Sequence, residues 1–264
     1  MSKSVIIVGA GIVGLACGQE LSKKGHEVFI AEEKQYIATQ TSARNSGVIH
    51  AGIYYAVDSL KAKLCVRGKN LLYKYCEQFE VPYSRTEKMI VATTNEETHI
   101  LLKLKETALR NGVKLISIRG EDAIEREPNL FAVSALVSPT TGIIDASKLA
   151  ESFQHQAEIN GANLALETKI TKITQTSKIL VSGISGGEKF EAEFDFLINA
   201  AGHGAHQLTQ SYWPEAPSLP RNFAKGNYFS IAGKAPFKTL IYPVPGPESL
   251  GIHYTIDTDG RGQL

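Results

Sequence analysis

Three glycines and one acidic residue near the start of the chain have the spacing of a nucleotide-binding turn. Gly9, Gly11 and Gly14 form the pattern G-x-G-x-x-G, and Glu32 follows further along the chain. In this pattern the first glycine permits a tight turn, the second lets a pyrophosphate approach the backbone, and the third lets helix and strand pack closely. A carboxylate at the position of Glu32 accepts hydrogen bonds from the ribose hydroxyls of an adenosine. The constellation predicts dinucleotide binding.

The segments around these glycines have the patterns that the turn requires. Residues 5–8 form a continuous apolar run, typical of a parallel strand buried on both faces. From Ile12 the apolar residues recur at helical spacing until Gly25, and residues 26–31 are predicted as a second strand. The helix N-terminus, at Ile12 and Val13, supplies amide donors and a positive dipole end for phosphates. A strand-turn-helix-strand unit is therefore expected.

The composition narrows the class of protein. The chain has 264 residues, 43% of them hydrophobic, which is enough for one large domain or two smaller ones. It carries 28 Lys and Arg against 27 Asp and Glu, so no charge excess indicates nucleic acid as a partner. The three cysteines lack metal-ligand spacing, and no apolar run approaches the ~20 residues of a membrane span. We expect a cytoplasmic protein without a metal, and leave peripheral attachment to a membrane open.

Four further segments decide which dinucleotide is expected. The stretch from Thr39 to Tyr55, TQTSARNSGVIHAGIYY, is rich in small and polar residues and is a poor helix or strand. Together with SLKAKLCVRGKNLLYKYC, TGIIDASKLAESF and IYPVPGPESLGIHYT, its RNSGVIHAGIYY portion resembles the D-amino-acid-oxidase-like superfamily of FAD enzymes. Within that superfamily, the chain is most similar to the L-2-hydroxyglutarate dehydrogenase/oxidase family. The matching segments run through nearly the whole chain.

The resemblance implies an α/β fold in which a Rossmann-like FAD-binding domain is interleaved with a mostly antiparallel α+β substrate domain. We expect residues 1–82 and 142–216 to form the FAD-binding domain, and residues 83–141 and 217–264 to form the substrate domain. Members of the family continue beyond the point at which this chain stops, so the C-terminal part of the substrate domain is expected to be missing.

The sequence pattern gives elements for both domains. Helices are expected up to Gln78, over Glu96 to Asn111, and from about Asp145 or Ser147 to Gly161. Strands are expected in YSRTEKMIVATT, which alternates like an antiparallel strand, and in ANLALETKITKITQ, FDFLINAAG, AKGNYFSI, TLIYPVP and LGIHYTID.

FAD is the cofactor that the resemblance implies. The loop from Thr41 to His50 fits a chain that runs along the pyrophosphate and ribitol toward a flavin. The sequence NAAG, residues 199–202, resembles a strand end that passes the FAD, with an ordinary α/β core as the alternative. The resemblance also implies backbone contacts from Ile170 to the adenine, as at the matching position of the related flavoproteins. The predicted cofactor-binding residues are Gly9, Gly11, Ile12, Val13, Gly14, Glu32, Ser42, Arg44, Asn45, Ser46, Gly47, Ile170, Ala200, Ala201 and Gly202.

Two of the seven histidines are candidates for the catalytic base. Oxidation of a 2-hydroxy acid moves a hydride from C2 to flavin N5 while a base takes the hydroxyl proton, and the ordinary histidine pKa of about 6.5 suits that base. By the resemblance, His50 and His253 both fall near the isoalloxazine ring. We favour His253 as the base and His50 as a shaper of the flavin loop, with covalent tethering of FAD as a further possible role for His50. A purely structural histidine is the alternative at each position.

A dicarboxylate substrate needs cations and hydrogen-bond donors for both of its carboxylates. The predicted substrate-binding residues are Tyr54, Tyr55, Lys61, Lys225 and Tyr242. A solvent-exposed face without a ligand is the alternative for the lysines. Lys225 stands where the family has arginine, which puts that carboxylate contact in doubt.

Three functions remain open. The first is FAD-dependent oxidation of L-2-hydroxyglutarate to 2-oxoglutarate, with electrons passed to a quinone or to dioxygen. The second is oxidation of an amino acid or glycerol 3-phosphate on the same fold. The third is an inactive FAD-binding fragment.

Overall fold

The computed structural model describes residues 1–217, 222–246 and 251–264. The helices are α1 Ile12–Lys23, α2 Leu60–Gln78, α3 Asn95–Arg110, α4 Gly120–Arg126, α5 Ala146–Ile159 and α6 Ala205–Tyr212. The strands are β1 Ser4–Val8, β2 Glu27–Ala31, β3 Val48–Ile49, β4 Tyr83–Ser84, β5 Lys88–Ala92, β6 Ile116–Arg119, β7 Ser134–Ser138, β8 Gly142–Ile144, β9 Asn163–Ala165, β10 Thr168–Gln175, β11 Ile179–Ser185, β12 Glu188–Phe194, β13 Phe196–Asn199, β14 Leu240–Pro243, β15 Thr255–Ile256 and β16 Gly262–Gln263. Short 3₁₀ helices span Thr41–Ala43 and Gly202–Gly204.

The chain divides into two compact units, and each unit is built from two segments. Unit 1 contains Met1–Asn45 and Ala146–Ala224, and unit 2 contains Ser46–Asp145 and Lys225–Leu264. The domain limits expected from the sequence were 82/83, 141/142 and 216/217. In the structure, residues 46–82 belong instead to unit 2 and not to the unit that contains the glycine turn. The assignment of cofactor and substrate to particular domains stays a prediction.

Unit 1 is organised around a parallel sheet in the order β13-β1-β2-β9. The expected β1-α1-β2 unit is confirmed, because the apolar run of β1 is buried and α1 packs beside β2 and α5. Gly18 lies against Ile30, where a larger residue would collide with the sheet. Gly25 ends the helix in the left-handed region at φ +80°, and its amide donates to the Ser22 carbonyl over 2.8 Å.

Unit 1 also contains a three-stranded antiparallel sheet, β10-β11-β12. Its apolar residues, among them Val181 and Phe194, pack against Ile6 of β1 and Ala31 of β2. The segment FDFLINAAG was expected to be a buried strand. It does form β13, but β13 is the edge of the described parallel sheet, so Phe196 keeps 55% of its surface exposed.

Unit 2 contains a mixed sheet in the order β14-β5-β7-β6, in which only the pairing of β14 with β5 is parallel. The antiparallel sheets β3-β8-β4 and β15-β16 belong to the same unit. Helix α3 packs against β5 and β7, as its apolar face requires. The predicted fold class, an α/β part with a parallel sheet interleaved with a mostly antiparallel α+β part, is confirmed.

Two strand predictions in unit 2 need correction. The segment containing β5 was expected to alternate like an antiparallel strand, but all five residues of β5 are buried because both faces of the strand are covered. Ile90 and Ala92 pack with residues of α3 on one face, and Met89 and Val91 pack with Ala123 of α4 on the other. AKGNYFSI was expected to be a strand, yet it is extended chain with a single bridge from Ser230 to Gln263, flanked by backbone hydrogen bonds from Phe229 and Ile231. The predicted β14 and β15 are present, while residues 247–250 of the IYPVPGPESLGIHYT segment lie outside the described residues.

No helix in the described ranges is both long enough and apolar enough to cross a membrane.

Candidate functional site

The glycine turn of unit 1 connects β1 to α1 with little room for side chains. Gly9 has φ +104°, a left-handed conformation that favours glycine, and its amide donates to the Ala31 carbonyl over 2.8 Å. A Cβ on Gly9 would collide with the Ala200 carbonyl, and one on Gly14 would collide with the Gly9 carbonyl. These two glycines therefore allow the close approach of β1, α1 and the end of β13.

Gly11 leaves the start of α1 open. Gly11 is the N-cap of α1 and has no side chain to satisfy the first helical amides. Ser42 takes part of that role, because its Oγ accepts from the Ile12 amide over 3.0 Å. A Cβ on Gly11 would lie 3.1 Å from the same Oγ. Val13, in the first turn, is 62% exposed.

Glu32 follows β2 directly and braces the glycine turn. Its Oε2 accepts from the Ala10 amide over 2.8 Å, and its Oε1 accepts from the Lys34 amide over 3.0 Å. A carboxylate has about four lone-pair sites, so two of them stay available to further donors. The position at the carboxyl end of β2 is the one that the motif predicts for a ribose-binding acid.

Residues 42–47 form the loop that was predicted to follow a cofactor. Asn45 closes this loop on itself, since its Nδ2 donates to the Ser42 carbonyl over 2.6 Å, while Arg44 is exposed and donates to the Ala43 carbonyl. Ser46 and Gly47 begin unit 2, where Gly47 has φ +64° and lies against the Ile144 carbonyl.

The end of β13 lies beside the glycine turn. The Ala200 amide donates to the Val8 carbonyl over 2.9 Å, and Gly202 is left-handed at φ +54°. Asn199 fixes this end, because its Oδ1 accepts from the Ala201 amide and its Nδ2 donates to the Ala205 carbonyl over 2.7 Å.

One residue that the sequence reasoning missed, His203, joins two of the predicted segments. The Thr41 hydroxyl and His203 Nε2 are 3.2 Å apart, which links the loop before residue 42 to the 3₁₀ turn after β13. Thr41 and His203 are 162 positions apart in the sequence, so no local spacing pattern predicts this contact. Ile170 lies in β10, where the register slips between Ile170 and Lys172, and its side chain is buried in the core.

A second group of polar side chains lies in unit 2 around Lys88. Lys88 Nζ is 4.8 Å from the ring centroid of Tyr54 and 4.4 Å from that of Tyr242. The Tyr242 ring stacks on His253 with centroids 3.7 Å apart and planes 12° apart. The charges of Lys88 and His253 both act on His50. The structure thus brings together four of the predicted residues, His50, Tyr54, Tyr242 and His253, around a lysine that was not predicted.

Burial shifts the titration of every member of this group for which a shift is resolved. Loss of hydration lowers the pKa of Lys88 to about 7. Loss of hydration, followed by the positive charges of Lys88, His253 and Lys61, lowers the pKa of His50 to about 4, although part of its surface stays exposed. Burial raises the pKa of Tyr242 to about 12 and that of Tyr54 beyond the usual tyrosine range. At neutral pH both tyrosines are therefore hydroxyl donors and His50 is neutral.

The remaining predicted substrate residues are only partly connected to this group. Lys61 is exposed, with Nζ 4.8 Å from the ring centroid of Tyr55, and its charge reaches His50. Tyr55 hydrogen-bonds Cys65, and Cys65 Sγ donates to the His50 carbonyl over 3.4 Å. Lys225 is exposed, and no hydrogen bond or ion pair joins it to the described part of the chain.

The loop that carries Tyr54 is held by Asn111, at the end of α3. Asn111 Nδ2 donates to the carbonyls of Gly52 and Tyr55, over 3.3 and 2.9 Å. Its Oδ1 is buried and has no hydrogen-bond partner among the described residues. The Asn111 side chain therefore holds Gly52 and Tyr55, the two ends of the GIYY turn. Tyr54 lies between these ends and contacts Lys88.

Comparison with curated proteins gives a consistent set of relatives. The chain is 36% identical to the mitochondrial L-2-hydroxyglutarate dehydrogenase of Arabidopsis thaliana over 97% of its own length and 60% of the relative's. It is 35% identical to the L-2-hydroxyglutarate dehydrogenase of Indibacter alkaliphilus, over 97% of the chain and 65% of the relative. The chain therefore spans less than two thirds of the length of these curated relatives.

Comparison with solved structures gives the same fold. The reduced L-α-glycerophosphate oxidase of Mycoplasma pneumoniae, with FAD bound, superposes with a TM-score of 0.85 at 24% identity, covering 100% of this chain and 71% of that one. Glycine oxidase from Geobacillus kaustophilus superposes with a TM-score of 0.81 at 21% identity, covering 99% and 70%. The family model for FAD dependent oxidoreductases, named DAO, matches residues 4–263. Because this match takes in nearly every residue, the chain belongs to the DAO family of FAD dependent oxidoreductases.

Proposed function

We propose that this protein oxidises L-2-hydroxyglutarate to 2-oxoglutarate with FAD as the electron acceptor. The observation that carries the proposal is the unit 2 group, in which two histidines, two tyrosine hydroxyls and a buried lysine lie together. Such a set offers a proton acceptor, hydroxyl donors and a cation, which are the groups that oxidation of a hydroxy acid needs. The names of the curated relatives support this choice of substrate.

FAD, the cofactor of the family, fits the residues of unit 1. Gly11 presents bare backbone at the start of α1, as a pyrophosphate requires, and Glu32 keeps lone pairs for ribose hydroxyls. We propose that residues 9–14 hold the pyrophosphate and that Glu32 holds the ribose. Residues 42–47, the Ile170 backbone and residues 200–202 are proposed to contact the rest of the cofactor.

Oxidation at C2 removes one hydrogen as a hydride and the hydroxyl hydrogen as a proton. FAD supplies the two-electron acceptor when it is bound. We assign the proton to His253. The low pKa of His50 supports this assignment, because a base with a pKa near 4 has little tendency to take a hydroxyl proton. His50 then acts as a neutral neighbour that shapes the loop.

The tyrosines orient the substrate in this proposal. Tyr54 and Tyr242 keep their protons at neutral pH, so each can donate a hydrogen bond to a carboxylate or to the C2 oxygen. Lys61 and Tyr55 lie beside the group and are proposed to line the substrate site. Lys225 is retained as a proposed contact for the second carboxylate.

A substrate panel tests this function. Purified FAD-loaded protein is assayed with a dye acceptor against L-2-hydroxyglutarate, D-2-hydroxyglutarate, glycerol 3-phosphate and glycine. We expect kcat/KM to be highest for L-2-hydroxyglutarate, with 2-oxoglutarate as the product. Preference for glycerol 3-phosphate or glycine would favour the alternative functions on the same fold, and FAD binding without turnover would indicate an inactive FAD-binding protein.

The electron acceptor and location are proposed more broadly. We propose that the final electron acceptor is a quinone or dioxygen. We also propose that this protein is cytoplasmic and associates peripherally with a membrane. Helix α2 supports the association, because Leu60, Leu64 and Leu71 are 75%, 57% and 54% exposed beside exposed lysines. Sedimentation with anionic vesicles tests it. Equal sedimentation with neutral and anionic vesicles would argue against a basic contact surface.

A further inference from the structure

Lys88 is the largest of the fully buried side chains, with 1% of its surface exposed. It begins β5, between Leu240 of β14 and Ser138 of β7. A lysine is almost never fully buried unless a partner compensates its charge, because removing an ammonium from water is costly. The position of Lys88 therefore calls for an explanation.

The described surroundings of Lys88 contain no compensating carboxylate. The adjacent Glu87 pairs with Arg126 instead, over 3.6 Å. Ser138 pairs with Thr141, over 2.8 Å between hydroxyls. The titratable groups that contact Lys88 or feel its charge, among the described residues, carry no negative charge that would balance it. They are His50, Tyr54, Cys65 and Tyr242, and each is neutral at neutral pH, because the pKa of His50 is about 4 and burial raises the pKa of the thiol and of both tyrosines. Lys61 and His253 act on the same His50.

The ammonium nevertheless faces groups that suit a ligand. It lies over the rings of Tyr54 and Tyr242, whose electron-rich faces attract a cation without neutralising it. The two tyrosine hydroxyls are donors, and so is the ammonium. A set of donors around a positive charge, without an acceptor of matching charge, is complementary to an anion.

We propose that Lys88 is the cation that binds a carboxylate of the substrate, an inference that rests on the proposed oxidation of a 2-hydroxy acid. An incoming carboxylate supplies the negative charge that the described residues lack. It also offsets the positive field at His50. Lys88 thereby selects anionic substrates and orients them next to the two histidines.

The titration of Lys88 gives this proposal a distinctive pH dependence. Without ligand its pKa is about 7, and a bound anion raises the pKa because it favours the charged form. Below pH 7 the site is already charged, so this group leaves anion affinity unchanged. Above pH 7 binding must take up a proton, and affinity falls by about tenfold per pH unit.

Calorimetric titration of the FAD-loaded protein with glutarate tests the proposal without turnover. Glutarate has both carboxylates of the substrate but no hydroxyl to oxidise. We expect the wild-type affinity to be flat below pH 7 and to fall above it, with about one proton taken up per glutarate at pH 8 to 9. Binding at that pH with no proton uptake would overturn the inference, and this measurement needs no variant.

Lys88→Met provides the second measurement, since methionine fills a similar space without charge. We expect glutarate affinity at pH 6 to fall by about 10- to 100-fold, the usual cost of losing a charge-assisted hydrogen bond. Lys114→Met, which removes an exposed lysine of the same unit, is the matched control and should bind glutarate normally. Thermal unfolding should show Lys88→Met to be at least as stable as wild type, because an uncompensated buried charge is removed. Equal glutarate affinity in wild type and Lys88→Met would contradict the inference.

Comparing ligand binding with substrate turnover separates this inference from the proposed function, with inorganic phosphate as a second anion. Glutarate binding that depends on Lys88, in a protein that does not oxidise L-2-hydroxyglutarate, would preserve the carboxylate site and remove the function. Oxidation of L-2-hydroxyglutarate with unchanged KM in Lys88→Met would preserve the function and remove the site. Binding of phosphate but not of glutarate would overturn the inference, while the substrate panel would still decide the proposed function.

Discussion

At the scale of single residues, Glu32 shows how one carboxylate can serve both the fold and the ligand. It fixes the glycine turn through the Ala10 amide and the following chain through the Lys34 amide. Both bonds use lone pairs that face the protein, so the remaining lone pairs are available to ribose hydroxyls. Glu32 is therefore expected to be necessary for cofactor affinity even though it lies far along the chain from the glycines.

Replacing Glu32 with glutamine tests this role. Glutamine keeps one acceptor oxygen but loses the charge, so we expect the FAD dissociation constant to rise by about 10- to 100-fold, while the preferred substrate stays the same. Fluorescence titration of the folded apoprotein with FAD measures the effect. Glu33→Gln is the control, because Glu33 is exposed and forms a surface ion pair with the neighbouring Lys34. Equal FAD affinity in both variants would show that Glu32 has no part in cofactor binding.

The two histidines of unit 2 are expected to differ in kinetics. His253→Ala should keep FAD bound but slow anaerobic flavin reduction by about 10²- to 10⁴-fold, the usual effect of removing a general base. His50→Ala should alter the flavin spectrum or affinity together with the rate. His155→Ala, at an exposed position of α5, is the control. Rapid-reaction spectroscopy measures all three, and a normal reduction rate in His253→Ala would remove that residue from the mechanism.

The sequence indicated some of these residues better than others for a physical reason. The glycines and Glu32 follow a local spacing, because backbone geometry at a turn dictates which residues fit. Lys88 has no such spacing. A lysine at the start of an apolar run is ordinarily placed at the solvent end of a strand, whereas tertiary contacts, among them the rings of Tyr54 and Tyr242, bury Lys88.

At the scale of elements, the GIYY turn depends on a residue from a distant helix. Asn111 ends α3 and donates to the carbonyls of Gly52 and Tyr55, which flank Tyr54. Gly52 itself is left-handed at φ +98°, a conformation that most residues avoid. The helix end thus sets the direction of a side chain in the candidate substrate site.

Removing this link should weaken both stability and ligand binding. In Asn111→Ala two carbonyls lose their donor, so we expect the free energy of unfolding to fall by about 1–3 kcal/mol and the Kd for glutarate to rise. Asn160→Ala is the matched control, because Asn160 also follows a helix but is exposed, and its side chain donates to the nearby Gln156 carbonyl. Chemical denaturation and calorimetry measure the two effects, and similar losses in both variants would rule out a specific role for Asn111.

Helices and strands were predicted correctly where a single spacing of apolar residues dominated the segment. The β1-α1-β2 unit and α3 follow directly from apolar spacing, and both are confirmed. The segment of β5 was expected to alternate like an antiparallel strand, whereas the fold covers both of its faces. Residues 224–231 have strand-like composition but meet β16 at a single bridge, which local pattern alone does not reveal.

At the scale of the whole molecule, two discontinuous units divide the chemistry that a flavoenzyme needs. Unit 1 contains the glycine turn, and unit 2 contains the histidines, tyrosines and Lys88. The same fold occurs in proteins named for glycerophosphate and glycine oxidation, so fold alone does not decide the substrate. The substrate must be inferred from the side chains of unit 2.

Anaerobic mixing of the FAD-loaded protein with L-2-hydroxyglutarate tests the central claim most directly. The proposed function predicts that the oxidised flavin absorption band disappears while one 2-oxoglutarate forms per flavin reduced, because each oxidation transfers two electrons. Glycerol 3-phosphate and glycine should leave the band unchanged under the same conditions. A flavin that stays oxidised with L-2-hydroxyglutarate, in protein shown to bind FAD, would contradict the account.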